Sequence, residues 1–149
     1  MIFDRELIEA KLALGLIPSE DMPAVAWDAL EAGLDGPGIA RLAALERPTF
    51  FEVAEVLAKA KAEMALVDLS AGEAALRIAR RWAAEILERG EDPLRHTKEF
   101  ESLWIKADHP GEIQSVGNLD DEIWIAESMG QTESQIRKWV AERLRALSA

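Results

Sequence analysis

The fold is decided by two long segments in the middle of the chain, residues 49–66 (TFFEVAEVLAKAKAEMAL) and residues 70–89 (SAGEAALRIARRWAAEILER). Each segment starts with a hydroxyl residue that is followed three positions later by a glutamate. This spacing is that of a capping box, in which the hydroxyl accepts a backbone N–H and the glutamate reaches back to the cap. Both segments are therefore predicted to be α-helices, and we expect them to form a central antiparallel pair.

The two segments differ in how much of their surface is apolar. At about 100° per residue, apolar side chains cover more than half the circumference of 49–66, so we expect this helix to be central. In 70–89 the apolar side chains share one face and the charged ones lie opposite, with Glu73 four residues before Arg77. This second pattern is typical of a surface helix that packs on one side.

Proline and glycine positions divide the rest of the chain into further helices, because proline is favoured in a first turn and glycine just after a last one. There is no sustained alternation of apolar and polar residues, so a β-sheet is not expected. The longest irregular stretch is predicted to be a loop from Asp108 to Asn118. The prediction is an all-α bundle of about eight helices, with the two central segments at 49–66 and 70–89. The six other helices are predicted at Asp4–Gly15, Pro23–Gly33, Asp35–Pro48, Asp92–Ala107, 120–129 and 132–147.

The length of 149 residues is that of one ordinary domain, so residues 1–149 are predicted to form a single all-helical domain. The only natural division is the segment from Leu66 to Leu69, which would separate lobes at 1–66 and 70–149. This segment is too apolar for a free linker. We therefore expect either one domain or two helical lobes that share a core.

The composition excludes several kinds of catalytic site. The chain has no cysteine and only two histidines, His96 and His109, and neither belongs to a His-Glu-x-x-His or Glu-x-x-His metal-binding pattern. No catalytic, metal or cofactor-binding residue is assigned for this reason. Either histidine would gain a catalytic role only if the fold placed it in a pocket beside two carboxylates.

The net charge of −11, from 28 acidic and 17 basic residues, argues against charge-driven binding to nucleic acid or to an anionic membrane. The first 16 residues carry three acids, which does not fit a secretory leader, and no apolar run approaches the roughly 18 residues of a membrane span. We expect a soluble, cytoplasmic protein.

One stretch of the chain is strongly acidic. From Asp108 to Glu133 there are seven acids and no lysine or arginine. Such a patch of one sign attracts a basic partner and accelerates its association. Within it, Trp124 points about 100° away from the other apolar residues of its helix, so it is either an exposed interface anchor or is covered by the 108–118 loop. The candidate interaction surface comprises Asp108, Glu112, Asp120, Asp121, Glu122, Trp124 and Glu127.

The same part of the chain offers an alternative function. Ala126, Gly130 and Ile136 match the small residue, turn glycine and apolar residue of a helix-turn-helix unit, so residues 123–140 resemble DNA-binding helix-turn-helix proteins. The pattern departs at Gln131, where an apolar residue is usual. The DNA-contacting residues would be Thr132, Ser134, Gln135, Arg137 and Lys138.

Three short strings carry a second resemblance: ALEAGLDGP at 29–37, RLAAL at 41–45 and RGEDPL at 89–94. They are similar to pieces of small acidic all-helical bacterial proteins of uncharacterised function. The resemblance implies an all-helical, cytoplasmic protein. Its motifs are helix boundaries, so it assigns no functional residue.

Taken together, these features predict a non-catalytic protein-interaction module with an acidic surface. One concrete form is an inhibitor of a basic partner, similar in logic to the small acidic immunity proteins that mask nuclease toxins. The sequence identifies neither the partner nor the oligomeric state.

Overall fold

The computed structural model describes residues 3–149, whose regular structure is entirely helical. Met1 and Ile2, the start of the acidic first stretch, lie outside the described residues. Short 3-10 turns lie at Ser19–Asp21, Pro93–Arg95 and Gly111–Ile113. In the described part, no helix combines the length and the apolar character needed to cross a membrane. The α-helices are α1 (Arg5–Ala13), α2 (Met22–Glu31), α3 (Pro37–Ala43), α4 (Phe50–Glu63), α5 (Ala71–Arg89), α6 (Thr97–Lys106), α7 (Gln114–Gly117), α8 (Leu119–Ser128) and α9 (Glu133–Ser148).

The all-α prediction is confirmed, and the count of about eight helices is close to the nine observed in residues 3–149. The additional helix, α7, lies in the stretch 108–118, which was predicted to be an irregular loop. The glycines of this stretch indicated a loop, but Gly117 has a packing role, because a Cβ at this position would overlap the indole of Trp104. Ile113 and Val116 are fully buried, so the segment is part of the core.

The chain divides into two compact units, with the boundary between Leu69 and Ser70. The boundary lies within one residue of the lobe division noted in the sequence. In the first unit α4 packs mainly against α3, and in the second unit α5 packs mainly against α9. Segments 49–66 and 70–89 were predicted to pair with each other, but within each unit the main packing partner of these helices is a different one, α3 or α9.

In the first unit, two carboxylates fix the segments that precede and follow α4. The Glu63 carboxylate of α4 accepts the backbone N–H groups of Gly38 and Ile39, at 3.1 and 2.8 Å, and so caps α3. The buried Glu9 carboxylate of α1 accepts the N–H of Val67 at 3.0 Å and fixes the segment that follows α4. The core consists of Met22, Ala26, Ala29, Ile39, Leu42, Ala43, Val53, Val56, Ala60, Met64 and Leu66.

Helix α4 is less enclosed than its apolar surface predicts. Its buried residues form a single stripe that includes Val53 and Val56, whereas Phe50 and Phe51 are 71% and 77% exposed. Trp27 of α2 is also exposed. The apolar surface of 49–66 predicted a central helix, and the stripe of α4 with Val53 and Val56 lies in the core of the first unit.

The second unit places α8 and α9 at its surface. Helix α5 packs on α9 and on the turn Gly111–Ile113, α6 contacts α7 and α8, and α8 meets α9 after a tight turn at Gly130, whose φ is +87°. A glycine is favoured there because this φ strains any residue with a Cβ. The core is formed by residues such as Ile78, Ala79, Phe100, Leu103, Ile113, Leu119, Ile136, Val140 and Leu144.

Candidate functional site

Helix α8 carries a row of large apolar side chains on its solvent side. Trp124 is 70% exposed, Ile125 is 50% exposed, and Met129, at the end of the helix, is 78% exposed. With the exposed Asp121 and Ser128, they follow the i, i+3, i+4, i+7, i+8 spacing of one helical face. We call these five residues the α8 outer face. Single exposed apolar residues are ordinary, but a contiguous row of this kind is typical of a docking surface.

The α8 helix has apolar residues on two sides. One side packs into the unit, and the other side forms the exposed row. Leu119 and Ala126 are buried on the inner side, where α8 meets α6 and α9. The sequence allowed the segment 108–118 to cover Trp124, but this segment packs on other parts of the unit. Its Glu112 carboxylate lies against Gly72 at the start of α5. Trp124 is therefore exposed, as the interface-anchor alternative requires.

Three acids of α8 are free of intramolecular partners. Among residues 3–149, the side chains of Asp120, Asp121 and Glu127 form no hydrogen bond and no ion pair. Asp120 and Asp121 lie in the first turn of α8, where a negative charge also complements the helix dipole. The charge of these three carboxylates is available to a partner.

The other predicted surface acids are dispersed or neutralised. Glu122 contacts the guanidinium of Arg143 on α9. Asp108 is exposed near the end of α6 with its carboxylate 4.0 Å from Nδ1 of His109, and Glu112 lies at the start of α5. The stretch 108–133 thus contributes a smaller negative patch than its sequence predicts, because α9 supplies positive charge.

A shallow groove of about 430 Å³ lies between α8 and α9, beside the outer face. We call it the α8–α9 groove. Two contacts order its wall: Nε1 of Trp139 donates to Gln131 Oε1 at 3.0 Å, and the Arg143 guanidinium lies 4.9 Å from the centre of the Trp139 ring. Such ordering lowers the entropy cost of binding. Its lining residues are Glu122, Ile125, Ala126, Met129, Gln131, Trp139 and Arg143.

A second groove, of about 420 Å³, lies on the opposite side of α8. We call it the acidic groove, because three of its seven lining residues are carboxylates. Leu94 and Thr97 come from the 3-10 turn and the start of α6. The lining residues are Leu94, Thr97, Asp120, Ile123, Glu127, Glu133 and Ile136. Sequence reasoning missed this groove, because its walls come from positions up to 42 apart (94 to 136) that only the fold brings together.

The residues predicted to contact DNA are largely engaged within the protein. Thr132 and Gln135 form a reciprocal capping box at the start of α9. Arg137 binds Asp92 at 3.1 Å and Glu133 at 2.7 Å. Of the five residues, only Ser134 and Lys138 are exposed and form no side-chain contact with the described part of the chain.

These pairings weigh against contacts with phosphates, which would have to replace them. Helix-turn-helix DNA binding through residues 123–140 remains an untested prediction.

The two histidines hold local structure. His96 is half-buried between two carboxylates, with Nε2 2.9 Å from Glu91 and Nδ1 3.2 Å from Glu99, and it lines neither groove. His109 packs edge-on against Trp104, with ring centroids 4.6 Å apart. In residues 3–149, no three His, Asp or Glu side chains are grouped so as to hold a metal ion.

The chain matches no protein-family model, and no curated protein sequence and no solved structure is significantly similar to it.

Proposed function

We propose that this protein is a non-catalytic interaction module that docks a basic protein partner on the α8 outer face, with Trp124 as the central anchor. The observation that carries the proposal is the exposure of Trp124, Ile125 and Met129 in one row beside the unpaired carboxylates of α8. An inhibitor, or an immunity-like protein for a basic enzyme, is a specific form of such a module.

The apolar row provides the affinity in this proposal. A buried tryptophan removes about 150–250 Å² from water, and interface tryptophans commonly contribute at least about 2 kcal/mol. Ile125 and Met129 extend the contact toward the α8–α9 groove, which they also line. A partner helix or loop with two or three apolar residues would fit this row.

The acids provide selectivity and rate. Because Asp121 and Glu127 are exposed and unpaired, they lower the potential around Trp124. Lysine and arginine side chains around the apolar contacts of the partner would meet these carboxylates, and an acidic partner would be repelled. Such rim charges act mainly on the association rate and are screened by salt.

Selection from a random peptide display library on the immobilised full-length protein tests the proposal. The enriched peptides are expected to combine aromatic or aliphatic residues with an excess of lysine and arginine. Their dissociation constants on the Trp124→Ala variant should rise at least tenfold, as expected for an interface anchor.

Trp27→Ala is the matched control, because it removes an exposed tryptophan from the first unit. Peptides that bind the Trp124→Ala and Trp27→Ala variants equally well, or that are enriched in acidic residues, would refute the proposal. Binding that does not weaken between low and high salt would refute its electrostatic part.

A further inference from the structure

The acidic groove has a composition suited to a long side chain that ends in a cation. Ile123 and Ile136 form apolar walls together with Leu94, whereas Asp120 and Glu127 flank Ile123 along α8. Lysine side chains pack their aliphatic stem on apolar surface and keep the ammonium group beside polar groups. The groove offers both environments within about 420 Å³.

The side chain of Thr97 adds a hydroxyl group to the lining of the groove. Thr97 lines the groove and is only 6% exposed, and its hydroxyl forms no hydrogen bond with any residue from 3 to 149. Every fully enclosed side-chain oxygen in residues 3–149 has a hydrogen-bond partner. Because the Thr97 hydroxyl has none, it is not fully enclosed and can be reached from outside the protein. A threonine hydroxyl both donates and accepts hydrogen bonds, so this one is available to a group bound in the groove that Thr97 lines.

The charges around the groove leave a negative surplus. Glu133 already binds Arg137, which also contacts Asp92, so this cluster of charges is largely satisfied internally. Asp120 and Glu127 have no partner among the described residues 3–149. These two carboxylates and the Thr97 hydroxyl therefore have hydrogen-bonding capacity that no residue from 3 to 149 uses.

We infer that the acidic groove receives a lysine side chain of the docked partner, with the stem on Ile123 and Ile136 and the ammonium group between Asp120 and Glu127. This inference rests on the proposed function and specifies the partner residue. Lysine is favoured over arginine, because the acceptors come from separate positions. A rigid guanidinium fork is best matched by the two oxygens of one carboxylate, whereas an ammonium group has three donors on a flexible stem.

The test is an NMR titration of the full-length labelled protein with Nα-acetyl-lysine N-methylamide. Saturable shifts are expected at the Thr97 amide and at the Ile123 and Ile136 methyl groups. The norleucine analogue, which keeps the stem and lacks the ammonium group, should give none, and the arginine analogue should bind at least threefold more weakly. No saturable shift at these groups with the lysine probe would overturn the inference.

Variants separate the groove from general charge effects. Asp120→Asn and Glu127→Gln should each raise the dissociation constant of the lysine probe at least fivefold. Thr97→Val, which keeps the shape of the buried side chain, should raise it at least twofold. Glu142→Gln on the exposed side of α9 is the charge-matched control and should change nothing. Equal effects of Glu127→Gln and Glu142→Gln would overturn the inference.

The inference and the proposed function can fail separately. Trp124 does not line the acidic groove, so Trp124→Ala should leave binding of the lysine probe unchanged while it weakens the selected peptides. If those peptides bind through Trp124 and the lysine probe does not bind, the docking face stands and the groove inference fails.

Discussion

Arg143 of α9 forms an ion pair with Glu122 of α8, and these residues lie 21 positions apart in the sequence. The same guanidinium lies over Trp139 and donates to the carbonyl of Ser115 at 3.2 Å. Arg143 thus removes one negative charge from the candidate surface and also orders the wall of the α8–α9 groove.

Replacing Arg143 by Gln should make the docking surface more negative. Association of the selected basic peptides is expected to become about twofold faster at low salt, because rim charges act on the encounter rate. The half-exposed ion pair should contribute no more than about 1 kcal/mol to the free energy of unfolding. Stopped-flow binding and urea unfolding measure the two effects. The exposed Arg145→Gln on the same helix is the control. Equal changes of the association rate in both variants would contradict a specific effect of Arg143 on the docking surface.

Trp124→Ala should change the free energy of unfolding by less than about 0.5 kcal/mol, because the side chain is mostly exposed. Phe100→Ala, which empties a fully buried site in the same unit, should cost about 3–5 kcal/mol. Urea unfolding followed by circular dichroism compares the two variants. A loss above about 2 kcal/mol for Trp124→Ala would mean that this residue is structural.

Glu63→Gln should weaken the cap of α3. The carboxylate accepts two backbone N–H groups at the helix start, so its neutralisation is expected to cost about 1 kcal/mol. Hydrogen exchange should accelerate at the amides of Gly38 and Ile39. The exposed Glu55→Gln on the same helix is the control. Unchanged protection of both amides would disprove the capping role.

Ala65→Gly should stabilise the first unit. Ala65 has a φ of +57°, a left-handed conformation that costs a residue with a Cβ about 1–2 kcal/mol. The larger entropy of glycine in the unfolded chain offsets part of this, so the expected gain in unfolding free energy is about 0.5–1 kcal/mol. Ala58→Gly in the middle of α4 should instead cost about 1 kcal/mol. Destabilisation by both substitutions would contradict the assigned backbone strain.

Asp92 should make part of the stability depend on pH. Its hydrogen bond with Arg137, followed by the hydrogen bond from the backbone N–H of Leu94, lowers the pKa of the carboxyl. A group whose pKa is lower in the folded state stabilises the fold above its unfolded pKa, near about 3.9 for aspartate. That contribution is lost as the pH falls through the lower folded pKa.

Asp92→Asn should therefore destabilise the protein at pH 6 and have a progressively smaller effect below about pH 4. Urea unfolding at a series of pH values checks this dependence. Glu142→Gln is the control for a change of net charge. A constant difference between the wild type and Asp92→Asn at all pH values would show that the ion pair does not contribute.

The helix boundaries were determined by local sequence. The predicted box Thr49–Glu52 forms, and the Ser70 hydroxyl accepts the N–H of Glu73. Thr132 and Gln135 form a further box of the same local kind. These contacts join residues three positions apart, so nothing beyond the neighbouring chain is required to form them. The all-α class follows from the same local signals.

Tertiary structure alone decided which apolar faces are covered and which charges are paired. Helical periodicity indicates that a side of α4 or α8 is apolar, but the positions of neighbouring helices decide whether Phe50 or Trp124 is exposed. The partners Glu122 and Arg143 are distant in sequence, and packing brings them together. Burial and Coulomb energies depend on distances through space, and a local sequence pattern does not specify those distances.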